Sequence, residues 1–399
     1  MQLHDFMHYP SIGCRLAMMR RYEWNGSGMP RAQQSLLQRL WFQFGALNLI
    51  YQNVGLLIYL CLAEPTAEQL GAYVAQLSET CSVLGLTLVG ASNMWMLLHR
   101  RCDIESMLAE LQLLYPAQGN QSRIYRIAYY YEKSTRLMRC TAIFFISSFG
   151  YYNALPLLQL LYEWLSESQH VSYKFQSNTW YPWLLTSDLP SSASFMTSYL
   201  CQALSSLVGV AFIMASQFLL CFFITQMQLH FDALANALRL LDAARPGANE
   251  ELKALLSYHS RLLRLANRIN HIFNFTFLIN FTTSTIAICM MGFAMVMINV
   301  ASAFKYSVGL LAFLVFTLFI CYNGTAFTSA GDKLLPAAFY NNWYEGDLLY
   351  RKMLLFFMMR SSESRVLRAY KFTPVSMATY MAILKFSYQL FTFVRAIIS

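Results

Sequence analysis

The chain has 399 residues, of which 57% are apolar and only 12% charged, and its 29 Lys and Arg against 20 Asp and Glu give a formal net charge of +9. Soluble domains run nearer to ~25% charged residues, so an ordinary globular domain is excluded. The positive surplus is explained by its placement between apolar stretches, so no nucleic-acid partner is expected.

Residues 1–39 form a basic segment that lacks the apolar core and small-residue cleavage site of a signal peptide. Seven apolar windows follow: Leu40–Ala63, Tyr73–His99, Cys140–Tyr162, Phe195–Gln228, His271–Ala301, Tyr306–Gly331 and Thr373–Ala396. Each reaches the ~20 residues that an α-helix needs to cross a bilayer. The second keeps one acid, Glu79, near one end, and the sixth has no charged residue. The composition therefore predicts an all-α membrane protein with seven transmembrane helices.

Basic residues alternate between these windows. The clusters before span 1, between spans 2 and 3, between spans 4 and 5 and before span 7 hold all but four of the 29. Lys174 and Lys305 fall on the other side, and Lys385 and Arg395 lie within the last window. Positive residues stay cytoplasmic. The N-terminus is thus expected inside and the C-terminus outside, opposite to a G-protein-coupled receptor. On this orientation anionic inner-leaflet lipid is the expected acidic neighbour, and none of the sequons at Asn25, Asn120, Asn274, Asn280 and Asn323 should carry a glycan.

The organisation expected is a cytoplasmic segment 1–39, spans 1–6 over 40–331, a cytoplasmic helical segment 332–372 and span 7 over 373–399. Within the bundle, 163–194 is the one long outer loop, and 229–270 is an inner loop. Residues 251–271 place Leu252, Leu255, Leu262, Leu263 and Ile269 at near-helical spacing after a break at Pro246–Gly247. The simplest expectation is that spans 4 and 5 continue as helices past the membrane. A second such helix holds the apolar run 353–359, too short to cross. No internal repeat, phosphate loop or catalytic signature is visible, so neither an enzyme nor a cofactor is expected. The nine cysteines lack metal-ligand spacing, so no metal is expected either.

The last sixty residues are the most specific. They read NNWYEGDLLYRK at 341–352, MLLFFMMR at 353–360 and RAYKFTPVSMATYMAILKFSYQLFTFVR from Arg368. This order of an aromatic-acidic cluster, basic pair, apolar-Met helix, R-S, K-F-x-x-V-S and S-Y-x-x-F-T resembles the C-terminus of insect odorant receptors. Two positions depart from the pattern: Ser364 stands where a proline is common, and Tyr370 where a glycine is usual. The resemblance implies a ligand-gated, nonselective cation channel that binds a small volatile organic ligand. It implies assembly as a tetramer with a shared odorant coreceptor, in the plasma membrane of a sensory dendrite. The loop between spans 4 and 5 is short, which resembles the odour-tuned subunit rather than the coreceptor. Two alternatives stay open: a gustatory-receptor-like channel, whose T-Y-x5-Q-F signature Thr379–Tyr380 only begins, and an inverted seven-span receptor that signals through cytoplasmic partners without conducting.

In span 7, Lys385, Gln389, Thr392 and Ala396 share one stripe at 100° per residue. A polar stripe on an apolar helix faces water or other polar groups. It either lines a pore, or Lys385 pairs with a buried acid or snorkels; the resemblance favours the pore. It also implies a hydrophobic gate near the outer end, which a gapless reading from Lys371–Phe372 puts at Phe393 and Ile397. Trp343, Tyr344, Glu345, Asp347, Arg351 and Lys352 would anchor neighbouring subunits, or would simply begin a capped helix. The ligand pocket implied lies in the outer half of the bundle. The residues falling there are Tyr73, Gln76, Leu77 and Thr80 on span 2, Ser148, Tyr152 and Asn153 on span 3, and Met196, Tyr199 and Gln202 on span 4. Met295 and Met297 on span 5 and Tyr306 and Phe313 on span 6 complete the set. Trp180, Tyr181 and Trp183 would form a lid or an interfacial aromatic belt.

Overall fold

The computed structural model describes residues 1–24, 35–62, 70–116, 124–165, 175–184, 192–297 and 300–398, most of them helical. Two short helices, α1 (Leu3–Phe6) and α2 (His8–Leu16), precede the bundle. The bundle comprises α3 (Leu36–Leu62), α4 (Leu70–His99), α5 (Arg101–Leu114), α6 (Ile127–Leu165), α7 (Ser192–Leu240), α8 (Ala248–Met297) and α9 (Val300–Gly331). After it come α10 (Leu334–Phe339), α11 (Leu348–Ser362), strands β1 (Arg368–Ala369) and β2 (Thr373–Pro374), and α12 (Met377–Ile398).

The distribution of side chains on α3 identifies the solvent. Leu40, Phe44, Leu47, Val54 and Leu57 are exposed at three- and four-residue spacing, while Asn48, Gln52 and Asn53 are buried. The buried amides are paired: Asn48 Nδ2 donates to the Cys201 carbonyl at 2.7 Å, and Asn53 Oδ1 accepts from the Thr87 hydroxyl at 3.0 Å. An apolar outside over a satisfied polar inside fits hydrocarbon, where no water can meet a stranded polar group. Six helices, α3, α4, α6, α7, α8 and α9, are long and apolar enough to cross a membrane. With α12, a 22-residue helix made less apolar by Lys385, Gln389 and Arg395, they form a seven-helix all-α membrane fold.

Helix α7 is the centre. It is apolar on every face, as a fully enclosed helix should be, and it touches α2, α3, α4, α6, α8, α9 and α10. It runs 49 residues and α8 runs 50, both past any bilayer. Between them the chain reverses at Gly247, whose φ of +90° no other residue type adopts without strain. Residues 229–270 are therefore largely two helix extensions.

The structure departs from the sequence expectation at several edges. Span 7 does not begin at Thr373: residues 373–374 form β2, paired antiparallel with β1, and the helix starts at Met377. The last basic residues before span 3 lie on its own helix, which starts at Ile127. Helix α8 ends at Met297, short of the expected Ala301, and α9 begins at Val300, ahead of the expected Tyr306; 298–299 lie outside the described residues. The N-terminal segment, read only as basic, docks α2 against α7 through buried Pro10, Gly13 and Cys14. Sequons Asn25 and Asn120 lie outside the described residues.

Candidate functional site

A cavity of about 120 Å³ opens between α4, α6, α7 and α9. Its wall is almost wholly apolar, built from Val83, Leu86, Phe145, Val210, Ile213, Phe313 and Phe316, with Met291 reaching in from α8. The polar groups are few: Ser82, Ser148, Tyr152, Asn153, Ser206, and Gln176 from the outer loop. Tyr152 spans the space, its hydroxyl lying where a Cβ on Gly309 would sit, so Gly309 keeps the α6–α9 gap open for that ring. Asn153 Nδ2 donates to the Phe149 carbonyl at 2.8 Å, and the Asn153 carbonyl accepts from the Tyr199 hydroxyl at 2.7 Å. Its side-chain Oδ1 is buried and has no hydrogen-bond partner among the described residues. A buried acceptor left unpaired costs about 1–3 kcal/mol. The chamber can therefore hold a small, mostly apolar molecule.

Of the expected ligand residues, Ser148, Tyr152, Asn153 and Phe313 line this cavity. Tyr199 reaches its edge through Asn153, and Gln202 is buried beside it, donating to the Ser177 carbonyl at 3.0 Å. On α4 the lining residues are Ser82, Val83 and Leu86, further along the helix than Tyr73, Gln76, Leu77 and Thr80, none of which lines the cavity. Thr80 is buried with its hydroxyl on the Gln76 carbonyl at 2.8 Å, Tyr73 and Leu77 are half-buried, and Gln76 is exposed. Tyr306 is buried and donates to Glu79 at 3.0 Å, in a small cluster with Met291, Ala294 and Met295 above the cavity. Met196 faces outward, and the Met297 side chain lies outside the described residues. In the aromatic outer loop Tyr181 is buried, Trp180 half-buried and Trp183 exposed. Tyr181 is buried between Tyr51 and Trp183, stacked on the latter at 4.9 Å, and donates to Gln52 Oε1 at 2.9 Å. Trp183 donates to the Ser198 hydroxyl at 2.8 Å, and the Trp180 amide to the Gly55 carbonyl at 3.2 Å. That loop is clamped to α3 and α7, and its contribution to the chamber is Gln176, whose amide donates to the Tyr152 carbonyl at 3.3 Å.

Helix α12 packs on α8 and α9 through one face only. Ile383 and Ser387 are buried there, the Ser387 hydroxyl donating to the Thr285 carbonyl at 3.2 Å. Lys385, Gln389, Thr392 and Phe393 are all exposed, Phe393 at 63%. Lys385 has no acidic partner among the described residues, and the Ile397 side chain lies outside them. The stripe is thus turned away from the bundle of this subunit.

The aromatic-acidic cluster caps helices. Asp347 is the N-cap of α11, accepting from the Tyr350 amide at 2.7 Å and from Asn249 Nδ2 at 2.8 Å. These bonds, the Tyr350 amide first, hold its carboxyl below the usual carboxylate range. Arg351 donates to the Tyr344 carbonyl at 2.6 Å and the Gly346 carbonyl at 3.0 Å, and Glu345 accepts from Asn342 at 3.0 Å. Trp343, Tyr344 and Lys352 are exposed. Sequence reasoning missed Asn341, the buried residue that joins this cluster to the bundle. Its amide donates to the Leu238 and Leu241 carbonyls at 2.8 and 2.5 Å and accepts from the Tyr350 hydroxyl at 2.9 Å. Those carbonyls lie at the end of α7, where intrahelical donors run out. The signal was present in the Asn–Asn pair before Trp343, since such residues favour caps. Both departures from the C-terminal pattern have consequences here. Ser364 donates to Asp332 Oδ1 at 2.8 Å, whereas Tyr370 sits at φ +54°, a conformation that favours glycine.

Known proteins resemble this chain both in sequence and in fold. The sequence profile described as 7tm Odorant receptor matches residues 73–388. The chain is 44% identical over 397 residues to a Drosophila melanogaster protein named "Putative odorant receptor 69a, isoform B", covering 100% of each. It is 27% identical over 368 residues to Odorant receptor 85c of the same organism, covering 90% of this chain and 92% of the other. In fold it resembles the insect olfactory receptor OR5 of Machilis hrabei solved with eugenol, with a TM-score of 0.80 at 14% identity, covering 98% of this chain and 100% of that one.

Proposed function

The chain belongs to the 7tm odorant receptor family, and from that premise we propose that it is an odour-tuned subunit of a ligand-gated cation channel, whose ligand occupies the cavity between α4, α6, α7 and α9. The observation that carries this is the chamber itself: an almost wholly apolar cavity of about 120 Å³ between four helices of the bundle. A volatile has to be small and mostly apolar, and the apolar lining of this space offers it dispersion contacts. Serine hydroxyls at 82, 148 and 206 add adaptable partners.

Conduction is assigned to α12. Its polar stripe faces outward from a helix that is packed on one side only, as expected of a wall shared by several subunits around an axis. In this reading Gln389 and Thr392 meet hydrated cations, and Phe393 is the gate, with Ile397 beyond it. The exposed apolar side chains of the other end, Tyr340, Tyr344, Leu348, Phe356 and Met359 among them, supply a surface for neighbouring subunits. Lys385 opposes cation passage in a ring of identical subunits, which favours a heteromer with a shared coreceptor. In this reading the basic loops face the cytoplasm, so the N-terminus lies on the inner side of the plasma membrane of a sensory neuron; the positive-residue bias supports it. A ligand that prefers the open arrangement of α9 and α12 then shifts the population to the conducting state.

Current recordings from cells expressing the chain with and without an insect odorant coreceptor, against a panel of volatiles, test this. Odour-evoked cation current only on co-expression supports it. Surface expression with ligand binding but no current would favour an inverted receptor that does not conduct. A glycan on Asn25 or Asn120 would overturn the orientation.

A further inference from the structure

A second, larger cavity lies at the opposite, basic end of the bundle. It is a cleft of about 400 Å³, open to the surface, between the start of α6, the extension of α7 and the end of α9. Ala326, Ser329 and Ala330 on α9 are small enough to leave the space open, and Tyr129, Tyr130, Gln228 and Asp232 line it. Three cations converge there, Arg126, Lys133 and Lys333, against that one carboxylate. The carboxylate is already engaged on both oxygens. Lys333 Nζ binds Asp232 Oδ1 at 2.7 Å, and the Tyr130 hydroxyl donates to Oδ2. Arg126 and Lys133 have no acidic partner among the described residues, although Lys133 is half-buried. Two cations without an acidic partner among the described residues thus lie beside an ion-paired third, with Tyr129 and Ser329 also in the lining. Nothing in the odorant cavity requires this arrangement.

We propose that this cavity binds a multiply phosphorylated headgroup of the inositol phosphate type. The volume falls within the range of about 300–1,000 Å³ usual for such sites. Its position at the basic ends of membrane helices is where phosphate groups of an anionic leaflet lie. Lysine and arginine together suit phosphate, arginine by its planar fork and lysine as a point charge.

The full chain in phosphatidylcholine nanodiscs, with and without phosphatidylinositol bisphosphate, tests the proposal by native mass spectrometry of bound lipid. Arg126→Gln with Lys133→Gln should weaken binding about thirty-fold, as expected for two surface cations. Arg136→Gln with Arg360→Gln removes the same charge outside the cavity and should change it by less than about two-fold. Equal loss in both pairs would reduce the effect to bulk charge and overturn the site. Asp232→Asn frees Lys333 and should tighten binding, an outcome that damaged packing would not produce; weakening would overturn the assignment. Soluble inositol trisphosphate distinguishes the sources. Competition shows that the headgroup suffices, retained lipid binding without competition shows that the acyl chains also contribute, and either supports the site. Binding of neither ligand refutes it.

Discussion

Gly309→Ala tests whether the chamber between α4, α6, α7 and α9 holds the ligand. The added Cβ would meet the Tyr152 hydroxyl well inside contact distance, with Met291 Cε at 3.1 Å and Sδ at 3.5 Å. Methionine can yield, but Tyr152 has to swing into the cavity or α9 has to move. Overpacking of this kind costs about 1–3 kcal/mol. The ring displaced into a 120 Å³ space takes that cost from any guest large enough to fill it. For such ligands the half-maximal concentration should rise roughly 5- to 150-fold. Members of the same homologous series one or two methylenes shorter leave room, so they should shift by no more than about two-fold. Each methylene that still fits contributes ~0.8 kcal/mol, so the optimum chain length should fall. The assay is dose-response current from cells co-expressing the coreceptor, with surface abundance measured in parallel. Tyr152→Phe removes the atom in collision and should restore most of the loss in the double variant, a coupling that distant sites would not show. A uniform shift across all chain lengths, or full additivity in the cycle, would refute the pocket.

Four further outcomes follow from the structure. Phe393→Ala should raise basal current, because it opens the proposed constriction; unchanged leak at equal surface expression would remove Phe393 from the gate. Lys385→Gln should increase unitary cation conductance, and an unchanged value would place Lys385 away from the ion path. Tyr370→Gly should stabilise the protein by about 1–2 kcal/mol, the cost of a left-handed conformation for a residue with a Cβ; a lower melting temperature would mean that the Tyr370–Phe372 ring stack, at 6.0 Å, outweighs the backbone. Asp347 has a depressed folded pKa, so its contribution is fully present above the ordinary carboxylate value near ~3.9 and fades as pH falls through the lower folded value. The melting gap between wild type and Asp347→Asn should therefore close below about pH 4. A gap constant to acid pH would show that the carboxylate charge is not what holds the cap.

Much of the fold was legible without coordinates. Apolar length gives the spans, because a helix across hydrocarbon needs ~20 apolar residues whatever it packs against. The Pro246–Gly247 break and the short apolar run at 353–359 were readable for equally local reasons, a turn that needs φ above zero and a helix too short to cross. The C-terminal signature carried the family, since its residues cap and tether helix ends by fixed local geometry. The direction in which a side chain on an apolar helix points was not legible. Helix α7 is apolar all round, so its periodicity carries no phase, and only its crossings with α4, α6 and α9 turn Ser206, Val210 and Ile213 to the cavity. On α4, too, the residues that line the cavity, Ser82, Val83 and Leu86, lie beyond those singled out in the sequence. Gly309 and Asn341 read as ordinary positions in sequence. Their roles, room for a tyrosine ring and a cap on carbonyls about a hundred residues away, exist only when distant helices meet.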